Sequence, residues 1–202
     1  MSLLITFDGP KGVGKTTLVA LVHQRLLAGG YTVEALVEKN LMDEMLGPPL
    51  GEAYKALKNS PGERSETYVA DLHRRGRLLI GGRHLDSSQA DIVLLDRWYP
   101  SEAVFRRHID VVAAIDANLR DGVCVPDLAF AVTCTPEISW ERAHSRERSL
   151  DSKVIFSLEE HRGSTFRFER LAKKYGWRLL RSEVAGSNEL SDQVVAAIAA
   201  HS

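Results

Sequence analysis

The segment Gly9-Pro10-Lys11-Gly12-Val13-Gly14-Lys15-Thr16 fits the spacing G-x-x-x-x-G-K-[ST] and directly follows the apolar run Leu3-Leu4-Ile5-Thr6-Phe7. This pairing constrains the fold more than any other feature. Its chemistry requires a buried strand that turns sharply into a helix, so that glycine-borne backbone N–H groups converge on a phosphate. The helix then presents its positive end to the same anion. Leu18, Leu21, Val22 and Leu26 recur at helical spacing after the motif, and Gly29-Gly30 supplies a stop. A chance glycine-rich turn would explain neither flank. The motif therefore implies a bound nucleoside triphosphate, with Lys15 as a point charge on the phosphates and the Thr16 hydroxyl on Mg²⁺.

The rest of the chain agrees with an α/β reading. Strand-like runs at 2–7, 32–37, 91–96, 127–134 and 177–181 alternate with helix-like stretches. This predicts a five-stranded parallel sheet with helices on both faces, a P-loop nucleoside triphosphatase fold. Helices are expected over Lys15–Ala28, Gly51–Leu57, Arg64–His84, Ser101–Leu119, Pro136–His144, Leu158–Tyr175 and Leu190–Ala200. The segment Leu46-Gly47-Pro48-Pro49-Leu50-Gly51 reads as a loop. The 202 residues suit one domain. Arg142 to Lys153 is charged and poor in apolar residues, which predicts an exposed connection and, over roughly 142–163, a short charged lid on the nucleotide.

Charge narrows the function classes. Lys plus Arg number 26 against 27 Asp plus Glu, so no overall basic field points to nucleic acid or to a membrane surface. The two cysteines, Cys124 and Cys134, lack metal-type spacing and read as reduced core residues. No export signal or run of 18 apolar residues occurs, so a cytoplasmic location is the expectation.

Asp91-Ile92-Val93-Leu94-Leu95-Asp96 places a carboxylate at the C-terminal edge of a buried strand, where open α/β sheets bind ligands. Asp96 there can hold Mg²⁺ beside Thr16. Arg97, the next residue, suits a bidentate grip on phosphate, with a salt bridge to Asp96 as its ordinary alternative. Asp96 leads into Arg97-Trp98-Tyr99-Pro100 and not into a D-x-x-G element, which disfavours a GTPase switch.

Three segments in register resemble the thymidylate kinases among the nucleoside monophosphate kinases: Phe7-Asp8-Gly9 through Thr17, Asp96-Arg97-Trp98 with Ser101 and Phe105, and Val125-Pro126-Asp127-Leu128 through Pro136-Glu137 to Arg142. The resemblance implies ATP and Mg²⁺ as cofactors and a small nucleotide acceptor, dTMP. Gly9, Lys11, Gly12, Val13, Gly14, Lys15, Thr16 and Thr17 would cradle the donor phosphates, with Arg142 by its adenine. An ion pair of Arg142 with Glu141 or Glu147 is the plain alternative. Arg97 would grip the acceptor phosphate, Ser101 belongs to the same segment, and Phe105 would pack beside the deoxyribose or simply fill core. Arg146 and Arg148 would bring lid charge to the transferring group, since Gly12 stands where some members carry a P-loop arginine. The resemblance also implies a homodimer, for which the apolar stretch Val104 to Ile115 is a candidate face.

Departures cluster on the acceptor side. Lys11 stands where the family usually has an acid near the acceptor sugar. Tyr68 fits the family's base-stacking aromatic, but Leu72 occupies the position of the arginine that reads the base. Glu38-Lys39-Asn40 only partly matches the family's turn after the second strand, with Glu38 able to approach the site. Besides the dTMP reading, the sequence leaves open a kinase for a modified nucleotide, nucleoside or other small metabolite, and a non-catalytic ATP-binding module.

Overall fold

The computed structural model describes residues 2–145 and 157–201. Five strands form one parallel sheet: β1 (Leu3–Asp8), β2 (Val33–Val37), β3 (Ile92–Asp96), β4 (Leu128–Thr133) and β5 (Arg178–Arg181), in the order β2-β3-β1-β4-β5. The P-loop strand is central, and the register pairs Phe7 with Asp96 and Asp8 with Ala131. That register sets the carboxylates of Asp8 and Asp96 at one edge of neighbouring strands.

The three central strands β1, β3 and β4 are buried on both faces because helices cover both, whereas the edge strands β2 and β5 keep charged residues towards solvent. Ile5, Phe7, Ile92, Leu94, Phe130 and Val132 pack under α1 (Lys15–Ala28) and α8 (Ser187–Ala199), together with Leu18, Val22 and Val194. Leu4, Val93 and Leu95 face the opposite core, which takes in α2 (Glu38–Asn59), α3 (Glu63–Ile80), α4 (Tyr99–Val104), α5 (Val111–Arg120) and α7 (Leu158–Tyr175). A further helix, α6 (Pro136–His144), follows β4 and packs near the P-loop through Ser139 and Ala143, and a π-helical turn, Gly81–Leu85, continues α3.

Three expectations need correction. The expected loop Leu46 to Gly51 is helical: α2 bends at Leu46 (φ −139°, ψ 21°) and continues through Pro48 and Pro49. Prolines are tolerated there because the break makes them the first turn of a new helical segment, where their missing N–H leaves no bond unmade. The expected helix Ser101–Leu119 is two helices. Asp110 caps α5, its carboxylate accepting from Ala113 N–H at 2.7 Å, and the carboxylate of Glu66 on α3 accepts from the N–H groups of Arg107 and His108. Val104 to Ile115 is therefore no continuous face for a second copy, and both named ends are buried in the core. Finally, Cys134 is buried but Cys124 only partly so.

Of the segment 142–163, residues 142–144 end α6 and 158–163 begin α7, while Arg146 and Arg148 lie outside the described residues. No helix among the described residues is long and apolar enough to cross a membrane.

Candidate active site

The loop between β1 and α1 is shaped by glycine. Gly9, Gly12 and Gly14 have φ of 150°, 78° and 93°. A Cβ on Gly9 would lie 2.0 Å from the Val132 carbonyl oxygen, and one on Gly12 would lie 1.9 Å from that of Ser139. No side chain fits either position, so an arginine cannot replace Gly12 in this loop as it stands. Val13 is buried, anchoring the loop, while Thr16 and Thr17 are exposed on the first turn of α1.

Lys15 opens α1 and turns back over the loop, its Nζ donating to the carbonyls of Gly9 (2.9 Å) and Pro10 (2.7 Å). Burial holds its pKa well below the usual lysine value, and the neighbouring Arg97 charge pushes the same way. Asp96 and Asp8 offset part of this. A cation under such pressure is stabilised by an incoming phosphate.

Asp96 Oδ2 accepts from the Thr16 hydroxyl at 2.8 Å, and the buried Oδ1 has no hydrogen-bond partner among the described residues. One hydroxyl and one free carboxylate oxygen make a hard-oxygen donor set, suited to Mg²⁺ that takes its other ligands from water and phosphate. Arg97 sits at φ 74°, the one described non-glycine residue with positive φ. Its N–H bonds the Phe7 carbonyl at 3.0 Å, Nη1 reaches the Gly9 carbonyl at 3.3 Å, and its guanidinium carbon lies 6.0 Å from the centre of the Phe105 ring.

What holds Arg97 in this conformation is Asp8. Its Oδ1 accepts from Trp98 N–H (3.0 Å), Ser101 N–H (3.1 Å) and the Ser101 hydroxyl (2.6 Å), tying the turn after β3 to the end of β1. Burial nevertheless raises the Asp8 pKa, with these hydrogen bonds opposing it. Ser101 is thus committed to the turn. Asp8 ends its strand just as Asp96 ends β3, and that position is the signal by which it could have been found.

Beside this edge lies a buried polar network. Arg77, with no exposed surface, donates from Nε to Glu38 (2.7 Å) and from Nη1 to Asn118 (3.1 Å). Glu102 accepts from Arg106 Nε and lies 3.8 Å from Arg77. Arg106 Nη2 donates to Tyr54 Oη at 3.2 Å, and Tyr54 Oη lies 2.9 Å from His73 Nε2. Glu38, Tyr54, His73, Arg77 and Glu102 come from α2, α3 and α4, and no fixed spacing links them. Only the i,i+4 pair of Glu102 and Arg106 has a local signature.

The family model for thymidylate kinase matches residues 7–194. The chain belongs to the thymidylate kinase family. Among similar proteins, the thymidylate kinase of Bacillus pumilus is 27% identical over 183 residues, covering 88% of this chain and 81% of that one. That of Halothermothrix orenii is 31% identical over 152 residues, covering 70% and 69%. The solved thymidylate kinase of Candida albicans superposes with a TM-score of 0.71 at 15% identity, over 100% of this chain and 94% of that one, a likeness of fold. As a member of this family the chain is a phosphotransferase of the nucleoside monophosphate kinase class.

Within the family frame, the structure brings together the P-loop, Thr16, Asp96, Arg97, Ser101 and Phe105, and sets Glu38 close enough to Asp8 for their charges to interact. Glu38 is buried and bonded to Arg77. Lys11 is half-buried on the loop, and its charge adds to the pressure on Lys15. Tyr68 is 55% exposed on α3, whereas Leu72, one turn on, is 8% exposed within the core. Arg142 is exposed on α6, with its guanidinium 3.8 Å from the Cys134 sulfur.

Proposed function

We propose that this chain transfers the γ-phosphoryl group of ATP to the 5′-phosphate of dTMP. The observation that carries the reading is the convergence of Lys15, Thr16, Asp96 and Arg97 on one sheet edge, with Asp8 locking Arg97 beside the P-loop. An acceptor phosphate oxygen forms the new P–O bond to the γ-phosphorus, the bond to the β,γ-bridging oxygen breaks, and ADP leaves with that electron pair. The nucleophile is already an oxyanion, so positioning and charge neutralisation suffice without a strong base.

In this reading the P-loop residues Gly9 to Thr17 hold the donor phosphates and Lys15 leaves its loop carbonyls for them. Arg97 takes the acceptor phosphate, and Phe105 flanks the acceptor sugar. Arg142 lies towards the donor base. Thr16 and Asp96 would hold Mg²⁺, which when bound neutralises the phosphate charge. Arg146 and Arg148 keep the lid role proposed from the sequence, and Tyr68 the stacking role. A homodimer belongs to the same proposal and is checked by light scattering after gel filtration.

The acceptor is tested by incubating the protein with ATP·Mg²⁺ and a panel of nucleoside monophosphates and nucleosides, following ADP release and product mass. Selective formation of dTDP is expected. One observation favours a second acceptor: Leu72 lies in the apolar core and offers a base no hydrogen bond. ADP release with another nucleotide and none with dTMP would establish that second reading.

A further inference from the structure

Away from the P-loop, a cleft of about 330 Å³ opens between the α4–α5 connection and α7. Four arginines line it: Arg106 and Arg107 from the connection, Arg167 and Arg170 from α7. Val111 and Leu171 give it an apolar floor. The size is that of a pocket for a small organic ligand. Arg107 and Arg170 are exposed, so the cleft reaches solvent.

The charges cancel only in part within the protein. Arg106 is bonded inward to Glu102 and Tyr54, and Arg107 pairs with Glu160 at 3.0 Å. Asp110, the one carboxylate in the lining, is engaged as the cap of α5. Arg167 and Arg170 form no ion pair or side-chain hydrogen bond among the described residues, and the Arg167 Nε is buried without a partner. They stand three residues apart on α7, with Leu171 next to Arg170, so all three share one face of that helix. Burial lowers the Arg167 pKa, and the charges of Arg107 and Arg170 lower it further, with Glu160 offsetting part of this. Two guanidinium forks crowded onto one face, opposite a third, form an arrangement relieved by a multivalent oxyanion.

We propose that this cleft is a second anion site, which takes an oligophosphate group through Arg167 and Arg170 with Arg107 opposite them. A free oligophosphate and a nucleoside polyphosphate share the chemistry that these arginines recognise, and the apolar floor offers a surface on which a base can lie. The site uses neither Lys15 nor the acceptor residues, so it does not rest on the reaction assigned above.

The test is calorimetric, on the full chain carrying Lys15→Ala, which removes the P-loop cation while a thermal melt verifies folding. Tripolyphosphate is titrated at low ionic strength. One equivalent is expected to bind, and adding Arg167→Ala and Arg170→Ala should weaken binding by roughly tenfold or more, the loss expected for two charge-assisted contacts. Adding Arg75→Ala, a remote exposed arginine on α3, should leave it unchanged. Absence of binding to the Lys15→Ala protein, equal binding after removal of the α7 arginines, or equal loss with Arg75→Ala would each overturn the proposal. A parallel titration with a nucleoside triphosphate separates the sources: tighter binding than tripolyphosphate assigns the floor to a base, and equal binding assigns the site to the phosphates alone.

Discussion

Arg97 adopts a left-handed conformation that costs a non-glycine residue about 1 kcal/mol. Asp8 maintains it through three hydrogen bonds to the following turn, and the result is a guanidinium held between the Gly9 carbonyl and the Phe105 ring. Replacing Arg97 by glycine relieves the backbone and removes the phosphate grip. Thermal stability of Arg97→Gly is therefore expected to stay within about 1 kcal/mol of the parent. The kcat/KM for the acceptor should fall by roughly a hundredfold or more; a variant both folded and fully active would refute the role. The P-loop makes a complementary prediction. Because a Cβ at Gly12 would meet the Ser139 carbonyl at 1.9 Å, Gly12→Ala must displace the loop or α6, and ATP binding measured by calorimetry should drop at least tenfold. Lys15→Ala tests the charge separately from the shape. Its buried amine bonds only loop carbonyls in the described structure, so the fold should survive while ADP formation is abolished.

Among the elements, α2, α3 and α4 are joined by buried charge. Removing one partner of such a pair strands the other, at a cost of about 3–5 kcal/mol, whereas replacing both by apolar groups is often neutral. Glu38→Ala should therefore lose about 3 kcal/mol in denaturant unfolding, and the double variant Glu38→Met with Arg77→Met should recover most of it; equal losses in single and double variants would show that the pair is not coupled. This network also marks where the sequence stops being readable. The strands lie within two residues of their expected ends, and the bounds of α1, α6 and α7 agree, because apolar period and terminal glycine or proline are local signals. Asp96 and Arg97 were legible because they follow a fully apolar strand. Arg77, His73 and Tyr54 were not, since their partners are chosen by helix packing across long sequence separations. The same cause hid the break before α5: Glu66, about forty residues earlier, supplies the carboxylate that fixes that turn.

For the molecule as a whole, the buried network couples stability to pH. Tyr54 Oη accepts from Arg106 and lies 2.9 Å from His73 Nε2, while the buried Nδ1 of that ring has no partner among the described residues, so a second ring proton would be left without an acceptor there. Burial lowers the His73 pKa from 6.5 to about 3, against the attraction of Glu102. In the unfolded chain the same ring takes up a proton near its ordinary value. Between about pH 6.5 and pH 3 the unfolded state therefore binds more protons than the native one, and stability falls as pH falls through that window. The carboxyls of Asp8 and Glu38, raised by burial, oppose this trend, and their contribution is common to any variant that leaves them in place. The comparison to make is with His73→Gln, which stays neutral and can still accept from Tyr54. Between pH 7 and pH 5 the parent should lose about 2 kcal/mol more than the variant in denaturant unfolding, the equivalent of one proton taken up on unfolding over roughly 1.5 pH units. Parallel pH profiles for the two proteins would mean that His73 titrates normally in the fold and that the core between α2, α3 and α4 admits water.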